Sequence, residues 1–131
     1  MISFSLDDYT PSFVVDPNSG HLLATLRGGE VQLLDFNLGS VICRYRGNQA
    51  YGKRSSIFGS DQRLVISGSN DGRIYVWDRG SGALVDILEE HESGRVNCLS
   101  VNPSNPDMFA SNRGDGTVEI WVRRTGEELS D

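Results

Sequence analysis

Between Leu64 and Trp77 the chain reads LVISGSNDGRIYVW, a short apolar run, a polar turn and a second β-prone run. Leu64 to Ser67 suits a strand. Asn70, Asp71 and Gly72 tolerate positive φ in a tight turn, and Ile74, Tyr75 and Val76 lead into Trp77, so the stretch predicts an antiparallel hairpin. Met108 to Trp121, MFASNRGDGTVEIW, repeats the layout: Asp115 and Gly116 take the turn, Val118 and Ile120 alternate, and Trp121 closes the strand. The tryptophans lie 44 residues apart. A worn third copy, LLATLRGGEVQLL, runs from Leu22 to Leu34, with Gly28 and Gly29 in the turn, Val31 and Leu33 alternating, and Leu34 placed 43 residues before Trp77. Three unrelated hairpins of one sandwich would not keep that interval; a tandem repeat does.

Other segments fill in the unit. Ser12 to Val15 reads as a first strand, and Asp16 to Gly20 as a turn, because proline fixes φ while Asn, Asp and Gly accept the chain reversal. Asn102 to Asp107 is the corresponding turn in the last copy. Val41 to Arg46 and Ala83 to Leu88 read as outer strands, with one face of the former wet. Ser55 to Phe58 and Arg95 to Val101 read as inner strands, and Gly47 to Lys53 as a loop. The ISFSL run near Met1 is either an outer strand of a preceding unit or an inner strand of this one. Repeats therefore span approximately 8–47, 48–91 and 92–124, and 125–131 is expected to be a polar tail without a strand.

Trp77-Asp78, the Asp-Gly turns and the period together resemble WD40 repeats, in which four strands make one blade of a β-propeller. The resemblance implies an all-β fold of two to three four-stranded antiparallel sheets. With 131 residues the chain falls short of the roughly four to eight blades of a closed propeller, so an incomplete, open one is expected. Missing blades are expected upstream, and the stop after the Trp121 strand resembles a C-terminal end. The family's hydrogen-bonded network of His, Ser, Asp and Trp implies a set at His91, Ser111, Asp115 and Trp121. It implies a second at Ser67, Asp71 and Trp77, where Asn48 replaces the His. Gly28 and Leu34 replace Asp and Trp in the first copy, so no network is expected there.

A narrower resemblance, to the WD-repeat subunits of the GID/CTLH ubiquitin ligase, rests on SGSNDGRIYVWDRGSGALVDIL, His91, Val96-Asn97-Cys98, Asn102-Pro103, Pro106 and Met108, with Tyr45-Arg46-Gly47 and Phe58-Gly59. The chain departs from that pattern at Asn48, at Asn112-Arg113-Gly114 and in an apparent insertion from Asp7 to Ser19. LisH and CTLH helices are not in this sequence.

Charge and composition narrow the function. A net charge of −6, a pI near 4.8 and 15 glycines fit a turn-rich, acidic β protein and disfavour generic phosphate-backbone binding. Arg44, Arg46, Lys53 and Arg54, beside Tyr45 and Tyr51, read as a solvated rim rather than a specific nucleic-acid site. Cys43 and Cys98 have neither metal-ligand nor disulfide-framework spacing and read as small apolar fillers in a reduced, cytoplasmic or nuclear protein. No apolar run is long enough to span a membrane, and no secretory h-region follows Met1.

His91, Asp115 and Ser111 are also the residue types of a hydrolase triad, but no Gly-x-Ser-x-Gly elbow surrounds Ser111 and the repeat accounts for all three. His21, His91, Cys43 and Cys98 contain no close ligand pair for zinc, and Gly80-Ser81-Gly82 lacks the third glycine and the helix of a dinucleotide loop. Neither Trp77-Asp78-Arg79 nor Trp121-Val122-Arg123 forms the Trp-Asp-x-Arg box of cullin receptors. The expectation is a non-enzymatic scaffold without cofactor or metal, binding protein or peptide partners, ubiquitin-ligase subunits among them. Asn70, Arg95, Asn97 and Arg113 are the expected contact positions, and open blade faces are expected to self-associate. The alternatives are a general WD40 adaptor in RNA processing, trafficking or chromatin, and a small hydrolase.

Overall fold

The computed structural model describes residues 12–16, 18–26, 30–46, 53–59, 63–69, 72–89, 96–102, 104–113, 116–123 and 129–130, together with positions 1, 3 and 5. These form three four-stranded antiparallel sheets. The first comprises β1 (Ser12–Asp16), β2 (His21–Thr25), β3 (Val31–Asp35) and β4 (Val41–Tyr45). The second comprises β5 (Lys53–Gly59), β6 (Leu64–Ser69), β7 (Arg73–Asp78) and β8 (Leu84–Glu89). The third comprises β9 (Val96–Asn102), β10 (Asn105–Arg113), β11 (Val118–Arg123) and β12 (Leu129–Ser130). Within each sheet every strand pairs with the next in sequence, so each is an up-and-down meander.

Register makes the repeat exact in space. Leu22 faces Leu34, Val65 faces Trp77 and Phe109 faces Trp121 across the two middle strands. Gly72 and Gly116 of the hairpins adopt φ of 85° and 92°, the left-handed values such turns require. The hairpin positions Gly28, Gly29, Asp71 and Asp115 lie outside the described residues. β3–β4 and β7–β8 share a register shift just before the Trp position, which leaves Ile42 and Val85 as extra, exposed residues in the outer strands.

Two expectations are corrected. The turn expected over 102–107 is shorter: Asn102 and Asn105 already pair, and β10 starts at Asn105. Asn102 Oδ1 accepts from the Ser104 N–H at 2.9 Å, so the Asn side chain closes a tighter reversal than composition suggested. At the end of the chain, Leu129 and Ser130 pair with Arg123 and Val122 rather than remaining in a strandless tail. Two residues are too few for alternation to register, and main-chain pairing with the edge of β11 does not depend on it.

The sheets pack face to face, with β5 touching both β1 and β9. Leu23, Val31, Leu33 and Tyr45 of the first sheet bury against Val65, Tyr75 and Trp77 of the second. Ile66, Ile74, Val76 and Leu88, on the second sheet's other face, bury against Leu99, Phe109 and Trp121 of the third. Because strand side chains alternate, β6 and β7 of the second sheet each supply both interfaces, and their nearly continuous apolar runs follow from that double burial. Trp77 packs 5.9 Å from Tyr45 and 6.0 Å from Tyr75, and Phe109 stacks on Trp121 at 6.1 Å, a cross-strand aromatic pair.

Candidate functional site

The tryptophan positions differ in what they bind. In the third sheet, Ser111 lies two residues beyond Phe109 on β10, which points it to the same face as Trp121. The Trp121 indole N–H donates to Ser111 Oγ at 2.9 Å, and both side chains are buried. A buried hydroxyl already accepting a hydrogen bond is positioned to hold the sheet. In the second sheet Ser67 is fully buried at the equivalent place, but the Trp77 indole donates at 3.0 Å to the main-chain carbonyl of Arg46, at the end of the first sheet. The first copy carries Ala24 at the serine position and Leu34 at the tryptophan position. Of the other network positions, His91, Asp71, Asp115 and Asn48 lie outside the described residues.

The expected contact positions are partly placed. Asn97 lies in β9 at the register shift between Asn112 and Arg113 of β10, so Asn97 and Arg113 share the end of the third sheet that carries the Gly116 turn. Their side chains, and all of Asn70 and Arg95, lie outside what is described.

At the opposite end of the sheets a polar cluster joins the first two. Asp16 ends β1, and its buried carboxylate accepts from Ser19 Oγ at 2.6 Å, from the Asn18 N–H at 3.2 Å and from Arg79 Nη2 at 3.1 Å. Arg79, in the turn after β7, also reaches Ser19 Oγ at 3.1 Å and His21 Nδ1 at 3.0 Å. Its carbonyl accepts from the Tyr45 hydroxyl at 2.6 Å, so both ends of Arg79 are held by the first sheet. Burial alone would push the Asp16 carboxyl up; the Ser19, Arg79 and Asn18 hydrogen bonds and the Arg79 charge outweigh it and hold the group below the ordinary range. Burial, reinforced by Cys43, pushes the Tyr45 phenol up and keeps it a donor. A groove of about 400 Å³ opens beside this cluster, with Leu33, Ile42 and Cys43 on one wall and Arg63 and Gly80 on the other.

Asp78, the acid of the Trp-Asp pair, accepts from Ser81 N–H and Oγ at 2.9 and 2.8 Å and closes the β7–β8 turn. Asp35 plays the same part for β3–β4, accepting from the Asn37 and Leu38 N–H groups at 2.9 and 2.8 Å. The worn first copy thus keeps the turn acid although it has lost the tryptophan. The 43-residue interval from Asp35 to Asp78 is the sequence signal that would have found it.

Two of the four cations in the basic cluster share one acid. Arg44 and Arg46 both pair with Glu30, at 3.0 and 2.9 Å. Burial opposes ionisation of Glu30, but hydrogen bonds from Gln32 and Arg46 and the charges of Arg46 and Arg44 hold its carboxyl below the ordinary range. Two cations engaged on one carboxylate are poorly placed to bind phosphate. Lys53 and Arg54 fall in β5, whose side chains are not described, and Tyr51 lies outside the described residues. Among the described residues, no group of three or more His, Cys, Asp or Glu side chains is arranged to hold a metal, and no helix is long and apolar enough to cross a membrane.

Comparison with known proteins agrees with this geometry. The family model described as "WD domain, G-beta repeat" matches residues 39–78 and 82–122, more than half of the chain. Each match takes the outer strand of one sheet and three strands of the next, so the chain itself links neighbouring sheets. The WD repeat-containing protein 26 homolog of Arabidopsis thaliana is 34% identical over 118 residues, covering 88% of this chain and 20% of that protein. GID complex subunit 7 of Schizosaccharomyces pombe is 33% identical over 122 residues, covering 92% of this chain and 24% of that protein. The chain spans about a fifth of the length of these curated relatives. Among solved structures, the β-propeller domain of Cps50 (Swd1) from Myceliophteria thermophila superposes with a TM-score of 0.76 at 15% identity, covering 90% of this chain and 35% of that one; it shows the fold alone. With two matched repeats and three meander sheets that are not closed into a ring, the chain belongs to the WD40 repeat family and forms part of a β-propeller.

Proposed function

We infer that this chain is a non-enzymatic interaction scaffold of a cytoplasmic or nuclear assembly, and that the assembly is a ubiquitin ligase of the GID/CTLH type. The observation that carries the scaffold reading is the use made of the polar side chains. Ser111, Asp16, Asp35 and Asp78 are each engaged in holding a sheet or a turn, which leaves shape and rim residues to do the binding. Rigid meanders presenting loops at both ends suit recognition of protein or peptide partners. The ligase assignment draws on the relative named as a GID complex subunit, matched over 92% of this chain. Within the scaffold, the end of the third sheet bearing Asn97 and Arg113, with Arg95 two positions before Asn97 in sequence and Asn70 two positions before Gly72 of the second sheet's hairpin, is the contact region.

The test is affinity purification of the tagged full chain from its native host, followed by mass spectrometry. Recovery of ligase subunits is expected, with recovery reduced by Arg113→Glu. Repeated purification that recovers other stable partners and no ligase subunits would overturn the ligase assignment while leaving the scaffold reading intact.

A further inference from the structure

We propose that the groove between the first and second sheets docks an extended peptide that carries a large apolar side chain next to a carboxylate. Both walls of the groove come from this chain, on the seam between two of its own sheets, whatever packs on the outer faces of the first and third. It lies at the opposite end of the sheets from Asn97 and Arg113 and is a second surface of the molecule. The proposal rests on the scaffold reading and not on the ligase assignment.

One wall is apolar. Leu33, only 3% exposed, pairs with Cys43 at the base, and Ile42, the extra residue of the β4 register shift, stands 48% exposed at the lip. The other wall carries Arg63 and Gly80. The Arg63 main chain is fixed, because its carbonyl accepts from the Arg79 N–H at 3.0 Å. Its side chain is exposed and, among the described residues, meets no acid and no hydrogen-bond partner. The other charges of the groove are engaged: Arg79 on Asp16, and Asp78 with the two donors of Ser81. A guanidinium with its donors unused, set across from Ile42, is matched by a carboxylate beside an apolar side chain. A drug-sized molecule needs about 70–90% of its surface covered, which a groove with both lips in solvent does not provide. One side chain and the neighbouring acid of a longer peptide need only the groove.

The repeat supplies an internal comparison. Leu64 faces Asp78 and Met108 faces Val122, so the place of Arg63 in the next seam is taken by Asp107. Leu33 faces Cys43 and Val76 faces Asp86, so the place of Cys43 is taken by Asp86. The second seam keeps an exposed lip at Val85 but carries an acid where the first carries its free cation and another where it carries its thiol. The pairing of apolar wall with unpartnered cation therefore belongs to the first seam and not to the repeat, and it stands in a chain whose net charge is −6.

The test is an array of Gly/Ser-flanked peptides carrying Leu, Ile, Met or Phe beside Glu, with matched peptides in which Glu becomes Lys or the apolar residue becomes Ser, probed with the full 131-residue chain. Binding is expected for the apolar–Glu series alone. Amide shifts of Leu33, Cys43 and Gly80 are expected to move when the best peptide is added to labelled protein. Arg63→Glu and Ile42→Ser, both at exposed positions and checked for folding by circular dichroism, are each expected to weaken binding at least about tenfold, and Arg63→Glu to turn the preference toward Lys. Val85→Ser, at the matching lip of the second seam, is expected to leave binding unchanged. No peptide bound above the Gly/Ser background, binding indifferent to Glu or Lys, binding that survives Arg63→Glu, or equal loss with Val85→Ser would each overturn the proposal. Such a failure leaves the scaffold reading standing, since that reading is tested by what the chain recovers from its host.

Discussion

The Arg79 guanidinium, in the turn that closes the second sheet, lies 3.1 Å from the Asp16 carboxylate at the end of the first. Asp16 is 1% exposed and the Arg79 side chain 14%, so the pair is mostly withdrawn from water and adds an ionic contact to two sheets that otherwise meet through an apolar core and neutral hydrogen bonds such as Tyr45 to the Arg79 carbonyl and Trp77 to the Arg46 carbonyl. The pair supplies what hydrophobic packing lacks, a directional contact that fixes how far one sheet can slide along the other.

Removing one partner should therefore be costly. Arg79→Leu takes the cation from a buried carboxylate while leaving the Ser19 and Asn18 donors in place. We expect a loss of about 2–3 kcal/mol, somewhat below that for a fully buried pair because Arg79 reaches solvent. Urea unfolding of Arg79→Leu, Asp16→Asn and the double variant should show strong non-additivity, the double costing much less than the sum. Additive costs would mean that the pair contributes little.

The same carboxylate gives acid sensitivity a definite sign. Its folded value lies below the ordinary one, so the folded state binds the proton less tightly than the unfolded chain does. The stabilisation is complete above the ordinary carboxylate pKa of about 4 and is lost as pH falls through the lower folded value. Between about pH 5 and pH 2 the wild-type denaturation midpoint should fall more steeply than that of Asp16→Asn, the two converging at the acid end. Glu30 and Asp78, also held low, are present in both chains and drop out of the difference. Parallel profiles would remove Asp16 from the acid response.

Gly82 tests how closely the sheets approach. It holds φ at +80°, and a Cβ there would lie 3.0 Å from Cys43 Sγ and 3.1 Å from the Arg44 carbonyl, both in β4 of the neighbouring sheet. Gly20 holds φ at +73° with nothing within 4 Å of such an atom. Gly20→Ala should cost only the left-handed strain, about 1 kcal/mol, and Gly82→Ala about 2–3 kcal/mol because a main-chain carbonyl must also move. Calorimetry that ranks the two alike would mean that the turn can back away from β4.

The hairpins were legible in the sequence because their signals are local: Asp71-Gly72 and Asp115-Gly116 mark the turns, and Ile74 to Trp77 and Val118 to Trp121 read as the strands that follow. Ser12 to Val15 was legible through the period alone, and the structure extends it by Asp16. What spacing could not convey was contact between sheets. Arg79 meets Asp16, 63 positions earlier in the chain and across a sheet boundary, and no periodicity encodes that. Ser67 lies in the equivalent place to Ser111, yet the Trp77 indole turns to Arg46, because the neighbouring sheet brings a carbonyl within reach. The extra residues Ile42 and Val85 were equally invisible, since a register shift shows only once strands are paired.

That difference between the two tryptophans leads to the last prediction. Trp121 depends on a side-chain acceptor, so Ser111→Ala leaves a buried indole N–H without it and should cost about 1–2 kcal/mol. Ser111→Thr keeps the hydroxyl and should recover part of the loss. Trp77 depends on a main-chain acceptor, which no substitution at position 46 removes. Arg46 is largely exposed and its pair with Glu30 is shared with Arg44, so Arg46→Ala should change stability by less than about 0.5 kcal/mol. Equilibrium unfolding followed by tryptophan fluorescence reads both. A Ser111→Ala chain as stable as Arg46→Ala would show that the third sheet rests on the Phe109–Trp121 stack and not on the indole hydrogen bond.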